Sequence, residues 1–372
     1  MIYLFTSATR NYLPKVRVLA SSLAVYHPEC HLVIAMADRV PDGFRLEDFS
    51  AKAVIQVEEL GMPLSWIFQH SIVELSTAIK PFVFRHLFDR KDCEAVVYFD
   101  PDMVLYSQLD ELFAEFNKNS ILLIPHLTKP DVSSVPENEL VALQFGTYNL
   151  GFLGVKNDAN GRQFVDWWTN RLERYCFDDR QKGLFTDQKW VDLVPAMFDG
   201  VAILKSSRFD VSSWNAPTRV ISRAGNTILV DGEPLGFYHF TGFDSGAHDI
   251  ALKKGTSSAN PFWSLVKEYR KAIGKPDGVP WAYGHFSNGV PINGEHRRLY
   301  RGRPDLQRTF PNPFCADGPK SYYHWFEVSG QSRPMCGVTA GLILRGVKLF
   351  VANPTRAVPL MRAFWSIVKH RG

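Results

Sequence analysis

Two aspartates, Asp100 and Asp102, flank Pro101 at the end of an apolar, β-rich run over residues 95–99. Paired carboxylates at the mouth of a buried strand carry more charge than a protein interior accepts uncompensated. A hard divalent cation that also takes phosphate oxygens would compensate them, and so would open water. Asp-x-Asp is a short signal, so its meaning depends on what surrounds it. Asp187-Gln188 follows Thr186 at the start of a helical pattern. There Asp187 either meets a substrate or simply sits in a first helical turn with Thr186 as its cap. His239 ends a strand-like run before Thr241-Gly242. It is either a ligand or a hydrogen-bonded core histidine. Lys80, followed by Pro81 and Arg85, lies in a helical pattern leading to the acid pair. Both cations are placed to meet phosphate or to be solvated, and for Arg85 solvation is the better reading.

These residues need a scaffold. Residues 2–5 read as a first strand, 6–11 as a polar loop, and Val16, Leu19 and Leu23 as one face of a helix that tolerates Pro14 in its first turn. Strands at 31–35 and 53–57 complete a βαβ pattern, whose ligands collect at the carboxyl ends of the strands. The loop at 6–11 is therefore a candidate contact. It has no Gly-x-Gly-x-x-Gly, which argues against that kind of dinucleotide site. Further on, the pattern predicts a helix over 74–87 and strands over 95–99, 121–124 and 148–155. Residues 128–139 read as a loop, 161–176 as a helix with a tryptophan-rich core face, and 201–204 as a strand. Asp231-Gly232 between 227–230 and 235–239 predicts a hairpin. Residues 253–258 read as a polar link and 262–273 as a helix. From 274 to 346 only a helix at 335–345 is suggested. Residues 354–371 read as a basic amphipathic helix, suited equally to an anionic membrane surface and to docking on the protein's own core.

The 372 residues are 45% hydrophobic and 22% charged, with a net charge of +4. That is a globular balance, too mildly basic to indicate nucleic acid. Five scattered cysteines without Cys-x-x-Cys indicate neither a zinc site nor a disulfide framework. With no signal peptide and no membrane span in the pattern, the expected place is the cytoplasm, with peripheral contact at the inner membrane face through 354–371.

The order of motifs carries a resemblance. Tyr98-Phe99-Asp100-Pro101-Asp102, Asn149-Leu150-Gly151, Asp187-Gln188 and His239-Phe240-Thr241-Gly242 follow an N-terminal strand, loop and helix. Over residues 1–250 this resembles the family-8-like nucleotide-sugar glycosyltransferases of the GT-A fold, above all bacterial members with Asp-Gln-Lys-Trp-Val-Asp. The resemblance implies an α/β fold with a Rossmann-like mixed sheet flanked by helices. Beyond it would lie a Gly/Pro/aromatic-rich extension over 251–353 and the terminal helix over 354–372. It implies transfer of a sugar, with retention, from a nucleotide diphosphate donor, typically UDP, to a glycan or lipid-linked acceptor. It implies Mn2+ or Mg2+ held by Asp100, Asp102 and His239. It puts Thr6, Ser7 and Asn11 at the base and ribose, Lys80 and Gly242 along the donor, and Asn149 and Gly151 near the transferred sugar. Asp187 and Gln188 would stand beside the anomeric carbon. One departure is clear. The family places a lysine shortly after its histidine to meet the diphosphate, whereas Gly242 is followed here by Phe243-Asp244-Ser245. That leaves Lys253 or Lys254 to take the role.

Two other function classes fit parts of the pattern. A sugar-binding protein on the same fold would not need all of Asp100, Asp102, Asp187 and His239. A sugar nucleotidyltransferase would want a glycine-rich N-terminal loop, and residues 6–11 contain no glycine.

Overall fold

The computed structural model describes residues 1–130, 137–257, 260–274 and 278–330. The helices expected at 335–345 and 354–371 lie outside the described residues, as do residues 131–136 of the loop expected at 128–139, whose last three residues open the helix Glu137–Phe145. Residues Met1–Phe314 form one compact unit. In the second unit, Cys315–Gly372, the described part carries one helix, Tyr322–Gly330.

The first unit is built on a mixed seven-stranded sheet flanked by helices. Its strands are β1 (Ile2–Ala8), β2 (His31–Met36), β3 (Ala53–Gln56), β4 (Ala95–Phe99), β6 (Ile121–Leu123), β7 (Phe152–Lys156) and a last strand, Val201–Ile203. Between β4 and β6 lies the short β5 (Met103–Leu105), outside this sheet. The spatial order from one edge is Val201–Ile203, β6, β7, β4, β1, β2, β3. β7 runs antiparallel to both β4 and β6, while β1 is parallel to β2 and β4. Both faces of the sheet are covered, so its central strands are buried along nearly their whole length. For that reason β1 does not stop at Phe5. The parallel register with β2 continues to Ala8, and Thr6 and Ser7 are buried strand residues rather than loop.

On one side pack α2 (Leu64–Phe68), α3 (Ile72–Ala78), α4 (Lys80–Phe88) and the helix Ala159–Tyr175, whose Trp168 is fully buried. On the other side packs α1 (Leu13–Tyr26), burying Val16, Leu19 and Leu23. The single helix expected over 74–87 is two. α3 opens with a capping box, in which Ser71 Oγ accepts from the Glu74 N–H and the Glu74 carboxylate accepts from the Ser71 N–H. It ends at Ala78 because Pro81 lacks the N–H that a continuous helix would need.

The expected hairpin is also reshaped. Thr227–Val230 pairs with Ile221–Ala224 and with only two residues beyond the turn, Glu233–Pro234. Asp231 and Gly232 both have positive φ, as a tight hairpin turn requires. The following strand, Phe237–His239, leaves the hairpin and pairs antiparallel with β5, with His239 opposite Met103. The link expected at 253–258 is in part helix, since Lys253 and Lys254 form the last turn of Ala247–Gly255, where lysine favours the helix dipole. The helix Phe262–Ile273 has the bounds its pattern predicts.

Residues 278–314 are tied in by a buried cation. Arg297, on the helix Gly294–Arg301, donates to the carbonyls of Phe68, His70 and Tyr283 at 2.9, 2.6 and 2.6 Å. Removing the guanidinium leaves three carbonyls short of a donor. Arg297→Met should therefore destabilise the protein by about 3 kcal/mol, read from denaturant unfolding. His70 beside it is fully buried, and its Nδ1 contacts the Trp66 carbonyl at 2.8 Å. Burial holds its pKa down to about 3. The unfolded chain then binds a proton that the folded chain refuses, so stability is full above about pH 6.5 and falls as pH drops toward 3, by at most about 1.4 kcal/mol per unit. Melting curves across that range should show a shallower slope in His70→Gln.

Candidate active site

The chain reaches the end of β4 and turns through Asp100-Pro101-Asp102 into β5. Met103 N donates to Asp100 O at 3.1 Å, closing the turn. Because Phe237–His239 is the partner of β5, the His239 ring arrives beside the acid pair. His239 Nε2 lies 3.2 Å from Asp102 Oδ1 and 3.6 Å from Asp100 Oδ2. One ligand atom from each of Asp100, Asp102 and His239 lies within 4.8 Å of the others. Two carboxylates and an imidazole are a fitting donor set for manganese or magnesium.

Gly151 explains why the imidazole fits. A Cβ there would lie 2.6 Å from His239 Cε1, 2.6 Å from Asn149 Oδ1 and 2.7 Å from Met103 Cε. The stretch read as a strand from 148 begins only at Phe152. Asn149, Leu150 and Gly151 instead form a turn, in which Asn149 Oδ1 accepts from the Gly151 N–H at 2.7 Å and Gly151 O accepts from Asp100 N at 2.7 Å. The glycine seen in the sequence is thus a point of closest approach between β7, the acid pair and the histidine.

A second charged group adjoins the first. Lys80 Nζ, at the start of α4, lies 2.8 Å from Asp187 Oδ2 and 3.7 Å from Asp100 Oδ1, and donates to Leu150 O at 2.8 Å. It also sits 4.1 Å above the Tyr98 ring, while Tyr98 Oη donates to Asp100. The Lys80 and Asp187 side chains are both 3% exposed. Asp187 is therefore not a surface residue of a first turn capped by Thr186, as the sequence allowed. It stands at the helix start without accepting from that helix's N–H groups. Thr186, with φ of 44°, donates to its other oxygen at 3.1 Å. Gln188 is held at both ends: Oε1 accepts from the Leu150 N–H and Nε2 donates to the Phe145 carbonyl, each at 3.0 Å.

The electrostatics follow from burial and these neighbours. Burial pulls the Lys80 ammonium down, but Asp187 and Asp100 outweigh it and hold its pKa above the ordinary value. Burial lifts the Asp100 carboxyl, and Lys80 and His239 do not fully offset it. Asp102 goes the other way, because His239 and then Lys15 overcome the effect of burial. His239 resists burial through Asp102 and Asp210, and is pushed up to about 10.

Lys80, Asp100, Asn149, Gly151, Asp187, Gln188 and His239 line one cleft of about 360 Å³. Asp102, 6% exposed, is not part of that lining. Thr6, Ser7, Asn11 and Gly242 fall outside that lining. Ser7 Oγ donates to Ser76 O, and Asn11 Oδ1 accepts from Thr9 Oγ1, each at 2.6 Å. Gly242 turns the chain after His239 with φ of 69°. Arg85 points elsewhere, to Asp166 at 3.4 Å. Lys253 and Lys254 are exposed.

Sequence reasoning passed over Asp210. It is fully buried with φ of 49°, and its Oδ1 lies 3.3 Å from His239 Nδ1. A carboxylate behind a histidine fixes the ring and leaves the other nitrogen facing the acid pair. A lone aspartate in the loop 209–215 offered no pattern by which to find it. Lys15 and Asp244, paired at 2.7 Å, were passed over as well.

No family model matches the chain. It is 29% identical over 159 residues to uncharacterized protein YfnF of Bacillus subtilis (strain 168), covering 41% of this chain and 50% of that one. To YfnD of the same organism it is 25% identical over 244 residues, covering 64% and 76%. The chain thus spans about half the length of the first relative and three quarters of the second. Among solved structures it is similar to the galactosyltransferase LgtC in complex with donor and acceptor sugar analogs. There the identity is 17%, the coverage 75% of this chain and 98% of that one, and the TM-score 0.45. For the glycosyltransferase GlyE of Streptococcus pneumoniae TIGR4 the figures are 13%, 77%, 66% and 0.42. For mouse xyloside xylosyltransferase 1 they are 13%, 65%, 98% and 0.41. At these scores the likenesses carry no functional weight, and the functional reading rests on the site's own residues.

Removing the Lys80 charge should show how strongly the site depends on it. Lys80→Met leaves Asp187 buried without its cation and part-exposed Asp100 short of one, and should cost about 3–5 kcal/mol of stability. Adding Asp187→Asn should restore part of the loss, a coupling that a double-mutant cycle of unfolding free energies measures.

Proposed function

We propose that the protein is a glycosyltransferase that moves a sugar, with retention of configuration, from a nucleoside diphosphate donor, UDP foremost, to a hydroxyl of a glycan or lipid-linked acceptor. One observation carries the reading. Asp100, Asp102 and His239 converge within 4.8 Å at a cleft that also holds the Lys80–Asp187 pair. The first set suits a cation that grips a diphosphate, and the second suits a sugar. Every residue this reading assigns to the reaction lies within residues 1–250.

Asp100, Asp102 and His239 would hold manganese or magnesium, which when bound supplies Lewis-acid stabilisation of the charge developing on the leaving diphosphate. Asp210 holds the His239 ring so that Nε2 faces the ion site. Lys80 holds the Asp187 carboxylate in place through their 2.8 Å contact. Asp187 then accepts hydrogen bonds from hydroxyls of the transferred sugar. Gln188, engaged at both ends, holds the Leu150 turn and through it the carbonyl that receives Lys80. In the transfer the bond from the anomeric carbon to the phosphate oxygen breaks, and the acceptor oxygen bonds to that carbon on the same face. The acceptor's proton passes to the departing phosphate. The apolar wall of the cleft, with Leu127, Phe145, Phe185 and Trp214, keeps water from competing.

The test is release of nucleoside diphosphate from a panel of UDP-sugars, with and without manganese. Turnover should require the ion and should fall by roughly 100-fold or more in Asp102→Ala. Full turnover by that variant under chelation would overturn the reading. Binding of a UDP-sugar with no turnover towards any acceptor, or release of pyrophosphate from a nucleoside triphosphate, would assign the site to a binder or a nucleotidyltransferase.

A further inference from the structure

Lysine is rarely buried unless paired. Lys15, in the first turn of α1, is 4% exposed. Its Nζ lies 2.7 Å from Asp244 Oδ2 and 4.0 Å from the centre of the Tyr12 ring. The Lys15 side chain is 5% exposed but that of Asp244 is 47% exposed. A fully desolvated cation is thus neutralised by a carboxylate that remains half in water. Among the described residues, Asp244 is the carboxylate within 4 Å of it.

The surroundings connect this pair to the acid pair. Asp244 sits on the turn 241–246 that follows His239 directly. The turn begins where Phe240 N donates to Asp102 O at 2.9 Å. It is bounded by Gly242 and Gly246, with φ of 69° and 75°. Burial raises the Tyr12 phenol far above its ordinary range, and Asp102, Asp244 and Asp100 add to it in that order. Lys15 is in turn among the charges that pull Asp102 down. Tyr12, Lys15, Asp244 and Asp102 therefore lie on adjoining elements, since α1 packs on β5, the strand that leaves Asp102, and the Leu105 N–H donates to Ser22 Oγ at 3.1 Å.

We propose that Lys15 is the cation that binds the donor's diphosphate, and that Asp244 is a resident anion holding its place until the donor displaces it. This rests on the donor reading of Asp100, Asp102 and His239. A phosphate oxygen beside Lys15 makes a charge-assisted hydrogen bond. It cannot share the site with the Asp244 carboxylate, because like charges so close repel. Asp244, already half hydrated, leaves to water at little cost by turning its own side chain, while Phe243 keeps the turn packed on Phe240 and Tyr269. The lysine that the residues after Gly242 fail to supply is delivered by α1.

The experiment is calorimetric titration of the full chain with uridine diphosphate, and separately with inorganic pyrophosphate, each with manganese. Lys15→Met should weaken both ligands by roughly tenfold or more. Equal losses for the two place Lys15 on the phosphates rather than on the nucleoside. Asp244→Asn, with its folding checked by a melting curve, should tighten both by roughly threefold, and should have no effect in the Lys15→Met background. Manganese alone should bind Lys15→Met no more weakly than wild type. If Asp244→Asn leaves affinity unchanged or lowers it, the place-holding role is wrong. If Lys15→Met binds pyrophosphate like wild type, Lys15 is not the diphosphate cation while the donor site stands. Failure of wild type to bind uridine diphosphate with manganese would overturn both this inference and the donor reading.

Discussion

Four aspartates, Asp100, Asp102, Asp187 and Asp210, meet at the site, three of them almost out of water and Asp100 part-exposed, and their compensation governs the site. An isolated carboxylate does not stay ionised in such a place. Each is therefore matched. Lys80 bridges Asp187 and Asp100, and His239 stands between Asp102 and Asp210. The matching is uneven. Asp100 is raised by burial while Asp102 is lowered by its neighbours. An arrangement short of positive charge beside Asp100 is one that the proposed divalent cation would complete.

The backbone makes the matching possible. Asp100 and Asp102 are fixed by the exit from β4, and His239 reaches them because its strand abandons the hairpin and pairs with β5. Gly151 removes the side chain that would otherwise fill the space of the imidazole. Gln188 clamps the turn whose carbonyl at Leu150 receives Lys80. Every element around the cleft thus serves two ends, shaping the backbone and aiming a charge. Binding sites on open α/β sheets gather at strand ends for the same reason: there the chain leaves the ladder and its polar groups are free to be aimed.

Much of this was legible in the residues. Apolar runs gave β1, β2, β3 and β4 to within a few positions, and helical spacing gave α1 and the helix Phe262–Ile273. Asp100 and Asp102 announced themselves by their spacing at a strand end. Other features were read wrongly. Thr6 and Ser7 looked like loop because hydroxyls suggest solvent, yet parallel pairing to Ala8 carried them into the core. Thr186 looked like a helix cap, since its neighbours are those of a capped helix, yet Asp187 stands at that helix start and Thr186 turns the chain with positive φ. Asp210 and Lys15 gave no signal at all.

The sequence by itself determined the order of strands and helices and the chemical kinds of group available, because hydrophobic periodicity and strand-ending prolines act over a few residues. Only the tertiary structure decided which groups meet. Lys80 and Asp187 are more than a hundred positions apart, as are Asp102 and His239. The second of these contacts depends on the register of β5 with Phe237–His239, which no local pattern encodes. The same holds for the burial that sets each charge's cost, since desolvation is a property of everything packed around a side chain and not of the residues beside it in the chain.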